Sequence, residues 1–234
     1  MSFKSKVTLI PWDPDSTAHR HVLLRQRQEC TWHQEKVEKE WREAQLKGSK
    51  CIHWIRQVFP DDSHITEHMS SYLRSKKTEV LRDTAQFINA AHRKPSQRAF
   101  IPIGHISLDS MSPESTHLNL DIPRAGVFWI KSFYVSRALQ GQGIGRVAMD
   151  EVEKMAIRDP LNAQTLMLDS IQRDDSLREE FALATQGCLP KVVSEDWYTR
   201  RGYRVIRTVH NYYIIEDRKG KIWDTKTVFM RKDI

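Results

Sequence analysis

Apolar and polar positions along the chain set out an alternation of strands and helices. Val7 to Ile10 is a short apolar run closed by Pro11 and Pro14, and it reads as a first strand. From Ala18 to Lys47 apolar residues recur at helical spacing on two faces: Val22, Leu23, Gln26 and Cys30 share one, and Val37, Trp41 and Ala44 the other. A break is therefore expected near Thr31 to Gln34, and Gly48 marks the stop. Cys51 to Phe59 (CIHWIRQVF) alternates like a strand and ends at Pro60-Asp61-Asp62. Further on, Leu73, Val80, Leu81, Thr84, Phe87, Ile88 and Ala91 fit a helical stripe, so residues 61–95 are expected to form a helical insertion.

Phe100 to Leu108 (FIPIGHISL) is the next strand, bent or edge-lying at Pro102. Residues 109–125 are rich in proline, serine and aspartate and read as a loop. Val127 to Val135 (VFWIKSFYV) is the most apolar strand, a pattern that implies burial on both faces. A helix is expected from about Gly143 to Ile157, with Val147, Val152 and Met155 toward the core. After it come a strand from Thr165, helices at Leu177 to Thr185 and Glu195 to Arg201, and strands at Tyr203 to Ile215 and Lys226 to Met230. That order gives an α/β (α+β) mixed sheet in a single domain over 1–234, and excludes a helix bundle or repeated βαβ units.

Composition changes this picture little. Of 234 residues, 39% are hydrophobic and 29% charged, enough apolar material for a large core without covalent staples. The formal charge of +7 suits a polyanionic ligand. A nucleic-acid face would need a denser basic stripe than this one, which Glu79 and Asp83 interrupt, so no nucleic acid is expected. Cys30, Cys51 and Cys188 stand far apart, with neither disulfide nor metal-ligand spacing, so no metal is expected. No run of 18 apolar residues and no signal-type segment occurs, so no membrane partner is expected and the location should be cytoplasmic, in a reducing compartment.

The chemistry concentrates in FYVSRALQGQGIGRVAM, residues 133–149. A glycine-rich link from strand to helix turns its backbone N–H groups toward one point, and a helix N-terminus adds its dipole. No Gly-Lys-Ser/Thr follows, which excludes a Walker loop. Gly143, Gly145 and Ala148 match G-x-G-x-x-[GA] of dinucleotide folds, and Asp169 lies near the distance of a ribose-binding acid. However, Ser136 to Gln142 intervenes where those folds make a tight turn.

The alternative spacing, Gln140-x-x-Gly143-x-Gly145, resembles the acyl-CoA signature [RQ]-x-x-G-x-[GA] of the GNAT superfamily of N-acetyltransferases. Two further motifs extend the resemblance over residues 100–206. Ile103 to Leu108 looks like the family's G-x-[IV]-x-[LV] third strand, and Trp197 to Tyr203 (WYTRRGY) looks like its F-Y-x-x-x-G-[FY] helix ending. The resemblance implies a mostly antiparallel twisted sheet of about seven strands with acetyl-CoA as cosubstrate. Gln140, Gly141, Gln142, Gly143, Ile144, Gly145 and Arg146 would hold the pyrophosphate, with Arg137 adding charge. Phe133, Tyr134 and Val135 would pair with the pantetheine, and the N–H near Val135 would polarise the thioester.

The resemblance also implies direct attack by an amine in a ternary complex, with Tyr198 protonating the departing thiolate. For the base, His105 titrates in the useful range, while Lys131, Glu114, His117, Asp121 and Asp169 remain alternatives. Lys191 or a neighbour stands where the family often has an asparagine, and an extended segment, Gln172 to Val193, precedes the late helix. The walls that usually line the acceptor site in this fold carry Trp32, Trp41, Tyr212 and Tyr213 with Glu29, Glu35, Glu38 and Glu216; aromatics with carboxylates could receive a cationic amine, but these residues read first as a mixture of core and surface, and a small-molecule amine is the expected partner. A protein amine and a CoA-binding module without transfer stay open, as does the oligomeric state, a homodimer included.

Overall fold

The computed structural model describes residues 6–58 and 80–234. Seven strands are hydrogen-bonded in one sheet: β1 (Lys6–Pro11), β2 (Ile52–Val58), β7 (Gly104–Asp109), β8 (Val127–Val135), β9 (Thr165–Ile171), β13 (Lys226–Asp233) and β10 (Arg204–His210), in that spatial order. Neighbours β1–β2, β2–β7, β9–β13 and β13–β10 run antiparallel. The pair β8–β9 is parallel, and its register covers Val127 to Trp129 against Thr165 to Met167. This is the mostly antiparallel mixed sheet expected from the sequence. By contact density the chain forms two compact units: Met1–Met111 with Ile130–Leu161, and Ser112–Trp129 with Asn162–Ile234.

In the first unit, α1 (Thr17–Cys30) starts at Ser16, whose side chain accepts from the His19 N–H, and ends at Thr31 with φ 64°. His33 also has a positive φ, of 52°. The expected break is thus made by two left-handed residues, after which one π turn (Val37–Trp41) leads into α2 (Arg42–Lys47). Val22, Leu23, Val37, Trp41, Trp12 and Trp54 bury together. The buried Gln45 bonds two backbone groups beside that core: its Oε1 accepts from the Ile52 N–H at 2.7 Å and its Nε2 donates to the Trp12 carbonyl at 3.5 Å. Helix α3 (Ile144–Ala156) packs against β1. Its core face is Ile144, Ala148, Val152 and Ala156 with Met149, an i+4 ridge; Val147 and Met155, expected inside, are only half-buried.

The stretch 80–95 corrects the expectation of a helix. It forms β3 (Leu81–Arg82), β4 (Phe87–Ile88) and β5 (Ala91–His92), and β3 pairs with β6 (Ala99–Phe100). Asn89 and Ala90 both have positive φ, 49° and 59°, so the chain reverses in a two-residue hairpin. The buried Asp83 carboxylate fixes the turn by accepting from Arg93 at 2.6 and 2.9 Å and from Ser96. The remainder of the expected insertion, residues 61–79, lies outside the described residues. Pro102 ends the β6 pairing two residues on, so FIPIGHISL is two strands with a bend between them.

In the second unit, Leu118, Trp129, Met167 and Phe229 form the core. The expected loop 109–125 includes one 3-10 turn, Pro113–Leu118, which supplies Leu118. Helices α4 (Arg173–Leu177), α5 (Glu179–Gln186) and α6 (Ser194–Arg200) follow β9, and Gly202 with φ 89° stops α6 as read. Strand β10 is shorter than expected because Asn211 turns the chain: its N–H donates to the Thr225 carbonyl and its Oδ1 accepts from the Thr225 N–H. The connection between β10 and β13 carries a small hairpin of β11 (Ile215–Glu216) and β12 (Ile222–Trp223).

Three histidines, His19, His53 and His105, are buried in the first unit. Burial lowers the pKa of each, that of His53 to about 4 and that of His105 well below 6.5. In the unfolded chain they titrate near 6.5, so below that pH the unfolded state binds more protons. Their contribution is complete above pH 6.5 and is lost as pH falls toward their folded values. The unfolding midpoint is therefore expected to drop between pH 6.5 and 4, with His53 alone contributing roughly 3 kcal/mol of the loss by pH 4. Thermal unfolding followed by circular dichroism across that range measures it; a flat profile would contradict this burial.

Candidate functional site

Strand β8 enters a 3-10 turn, Arg137–Leu139, anchored by the buried Leu139, and the glycines follow. Gly141 and Gly143 have φ of 84° and 79°, a region L side chains rarely adopt, and a Cβ on either would meet no atom within 4 Å. The glycines are therefore set by backbone conformation, and the space beside them is open. Gly143 is the N-cap of α3, with no side chain capping the helix, so the first backbone N–H groups of α3 have no side-chain acceptor at its cap. Gly145 differs: its φ is not positive, and a Cβ there would lie 3.5 Å from the Phe133 ring, an ordinary contact. Alanine would fit there, as the motif's [GA] alternative allows.

Gln140, read from sequence as a ligand contact, uses its amide otherwise. Nε2 donates to the Val135 carbonyl at 2.9 Å and ties the loop back to the strand. Gln142, Arg146 and Arg137 are exposed. The cradle is thus backbone plus helix dipole, with arginines at its rim.

The end of β8 has a defined orientation. A Cβ on Gly104 would lie 2.2 Å from the Tyr134 carbonyl oxygen, so Tyr134 directs its backbone toward β7. The Ser136 N–H likewise donates to the Ile103 carbonyl at 2.9 Å. Backbone groups alternate along a strand, so those of Phe133 and Val135 point to the opposite edge. Ser132, with φ 52°, interrupts the regular pleat just before them. The Tyr134 side chain is buried, and its hydroxyl donates to Glu29 Oε2 at 2.6 Å.

His105 lies beneath this strand end, fully buried. Nδ1 is 2.8 Å from Gln26 Oε1, Nε2 is 3.4 Å from Arg27 Nη1, and the ring is 5.5 Å from that of Tyr134. Burial first, then the charges of Arg27 and Lys50, keeps it neutral. Both ring nitrogens are thus engaged with side chains of the core, Gln26 and Arg27, rather than at an open surface. Lys50 is buried too, bound to Asp109 at 2.8 Å and to Ser107 at 3.1 Å over the Trp41 ring. Trp41 is therefore core, and Glu38 pairs with Arg20 at 3.3 Å, which agrees with the core-and-surface reading of these residues.

In the second unit Tyr198 sits on α6, half-buried, with Trp197 and Tyr203 edge-on at 5.1 and 5.9 Å. Burial first, then the nearby Asp169 charge, raises its pKa well above 10, so the phenol stays protonated across the physiological range. Asp169, in β9, accepts from the Tyr213 hydroxyl at 2.6 Å. Tyr212 stacks on His117 at 6.3 Å and meets Tyr213 edge-on at 4.7 Å. Among the described residues no helix is long and apolar enough to cross a membrane, and no group of three or more His, Cys, Asp or Glu is arranged to hold a metal ion.

The sequence model of the Acetyltransferase (GNAT) family matches residues 48–179, more than half of the 234-residue chain. No curated protein matches the sequence. Among solved structures, NAA60 of Arabidopsis thaliana in complex with a bisubstrate analogue is similar in fold, with 13% identity and a TM-score of 0.54 over 98% of this chain and 99% of that one. The same protein with acetyl-CoA gives 12% and 0.53 over 98% and 99%. Spermidine/spermine N-acetyltransferase SpeG of Vibrio cholerae, in complex with manganese ions, gives 8% and 0.52 over 97% and 92%. The matched segment runs from before β2 to the start of α5 and includes the whole glycine link. The chain belongs to the GNAT family of acetyltransferases.

Proposed function

We propose that the chain transfers the acetyl group of acetyl-CoA to the primary amine of a small molecule, by direct attack in a ternary complex. The observation that carries the reading is the glycine link, where Gly141 and Gly143 are left-handed and open to space at an uncapped helix N-terminus. Pyrophosphate complements such a backbone through hydrogen bonds and the helix dipole. The reading assigns the pyrophosphate to the N–H groups from Gly143 to Arg146 and the pantetheine to the outward edge of Phe133 and Val135. The Val135 N–H then stabilises the oxyanion that develops on the thioester.

From the second unit the reading takes one group, Tyr198. A phenol held neutral can protonate the departing thiolate, as an acid must. Fold neighbours support donor and acceptor classes: one was determined with acetyl-CoA, and another is a spermidine/spermine N-acetyltransferase. The test is release of CoA thiol from acetyl-CoA with spermidine, an aminoglycoside, and a short peptide with a free N-terminus as acceptors. Turnover with either small amine is expected. Turnover with the peptide alone would move the acceptor to a protein, and acetyl-CoA binding without thiol release would make the chain a binding module.

A further inference from the structure

We propose that the side chains of Arg137 and Arg146 bind the 3′-phosphate of the donor, a phosphomonoester separate from the pyrophosphate, so that the chain prefers acetyl-CoA to its 3′-dephospho form. The inference rests on the reading that the glycine link holds CoA, and it adds the part of the donor that the backbone leaves unrecognised. Every residue it uses belongs to the first unit.

Charge is the first argument. The pyrophosphate of CoA carries two negative charges, and a phosphomonoester adds about 1.5 to 2 more near neutral pH. Against these, the N-terminus of α3 supplies about half an elementary charge, and its N–H groups are neutral donors. Gln140 and Gln142, the side chains of the link, are uncharged. The permanent charges stand on either flank, Arg137 before the glycines and Arg146 after them.

The position of each arginine supports the same partner. Arg146 is the third residue of α3, whose first turn holds no acidic residue. A cation there faces the positive end of the helix dipole, which is unfavourable. A bound dianion reverses the sign, because dipole and guanidinium then attract it together. Arg137 opens the 3-10 turn that leads into the link, and the buried Leu139 fixes that turn. Both arginines are exposed, and among the described residues neither guanidinium is joined to a carboxylate.

The two kinds of phosphate also suit different donors. Beside Gly141 and Gly143 a Cβ would meet no atom within 4 Å, so the pyrophosphate can approach the backbone directly. A phosphomonoester ends in three free oxygens and matches the planar fork of a guanidinium, which donates two parallel N–H bonds.

The test is isothermal titration of acetyl-CoA and 3′-dephospho-acetyl-CoA into the wild-type chain, Arg137→Gln, Arg146→Gln and the double variant. Arg158→Gln is the control, since Arg158 is exposed and lies beyond the far end of α3, so the same charge is removed away from the link. The wild type is expected to bind acetyl-CoA about tenfold more tightly than the dephospho form, each exposed guanidinium contributing a few-fold. Each single variant should lose a few-fold for acetyl-CoA. The double variant should bind both forms alike, with its affinity for the dephospho form and its unfolding midpoint as in the wild type. Arg158→Gln should keep the full preference. A wild type that binds both forms equally, or a double variant that weakens both by the same factor, would overturn this inference and leave the glycine link in place. A wild type that binds neither form would overturn the reading of the link, and this inference with it.

Discussion

Replacing Gly143 by valine is expected to weaken acetyl-CoA binding at least 100-fold while leaving the protein folded. The valine Cβ would project into the open space beside the link, where it meets no protein atom within 4 Å. It would also pull the backbone away from φ 79°, at a local cost of about 1–2 kcal/mol. That cost lowers the unfolding midpoint by a few degrees. The larger effect falls on the ligand. Each hydrogen bond from a backbone N–H to a charged group contributes about 1.5–3 kcal/mol, so two misdirected amides remove about 3–6 kcal/mol. At about 1.4 kcal/mol per factor of ten, two to four orders of magnitude in affinity are lost. Gly187→Val is the control, because Gly187 has the same φ, 78°, and the same open surroundings, but ends α5. It should lose comparable stability and bind acetyl-CoA normally, as isothermal titration of both variants would measure. Equal affinities for the two would remove the glycine link from the site.

Replacing Tyr198 by phenylalanine is expected to lower kcat by about 100-fold or more, with acetyl-CoA affinity unchanged. The ring keeps its edge-on contacts with Trp197 and Tyr203, so packing of α6 is preserved. Only the hydroxyl proton is lost, and the thiolate must leave unprotonated or take a proton from water. The loss should sit in kcat, because the hydroxyl acts on the departing sulfur and not on the bound ground state. Steady-state thiol release with saturating donor separates the two. A full rate in the variant would remove Tyr198 from the mechanism.

The parts of the fold that were legible in the sequence are those set by local rules. The most apolar run, Val127–Val135, is a strand residue for residue, although only Trp129, Ile130, Tyr134 and Val135 are buried and the rest of it is half-buried. The break after α1 was readable because the apolar stripe changes face there, and the left-handed glycines because few other residues tolerate such backbone angles. Periodicity misled at Val80 to Ala91, where the apolar residues fit a helix but the two left-handed residues Asn89 and Ala90 impose a hairpin. Asp83, which anchors that hairpin through Arg93 and Ser96, has partners no periodic pattern encodes.

The candidate site divides in the same way. The cradle is one contiguous stretch whose spacing carries its conformation, so it could be read directly. Contacts between distant elements could not. Tyr134 and Glu29 are 105 positions apart, and only the packing of α1 beside β8 brings phenol to carboxylate. His105 drew interest for its ordinary titration range, but β7 buries it between Gln26 and Arg27. Gln140 keeps its place in the motif for a different reason, since its amide closes the loop onto Val135.

The central claim, that the glycine link holds the pyrophosphate of CoA, is tested most directly by thermal unfolding of the wild-type chain with saturating acetyl-CoA and, in parallel, with NADH. Ligand at 100 times its dissociation constant adds about 2.7 kcal/mol, a rise of roughly 5 to 10 °C for a protein of this size. A rise with acetyl-CoA and none with NADH is the expected result. A rise with NADH alone, or with neither, would contradict it.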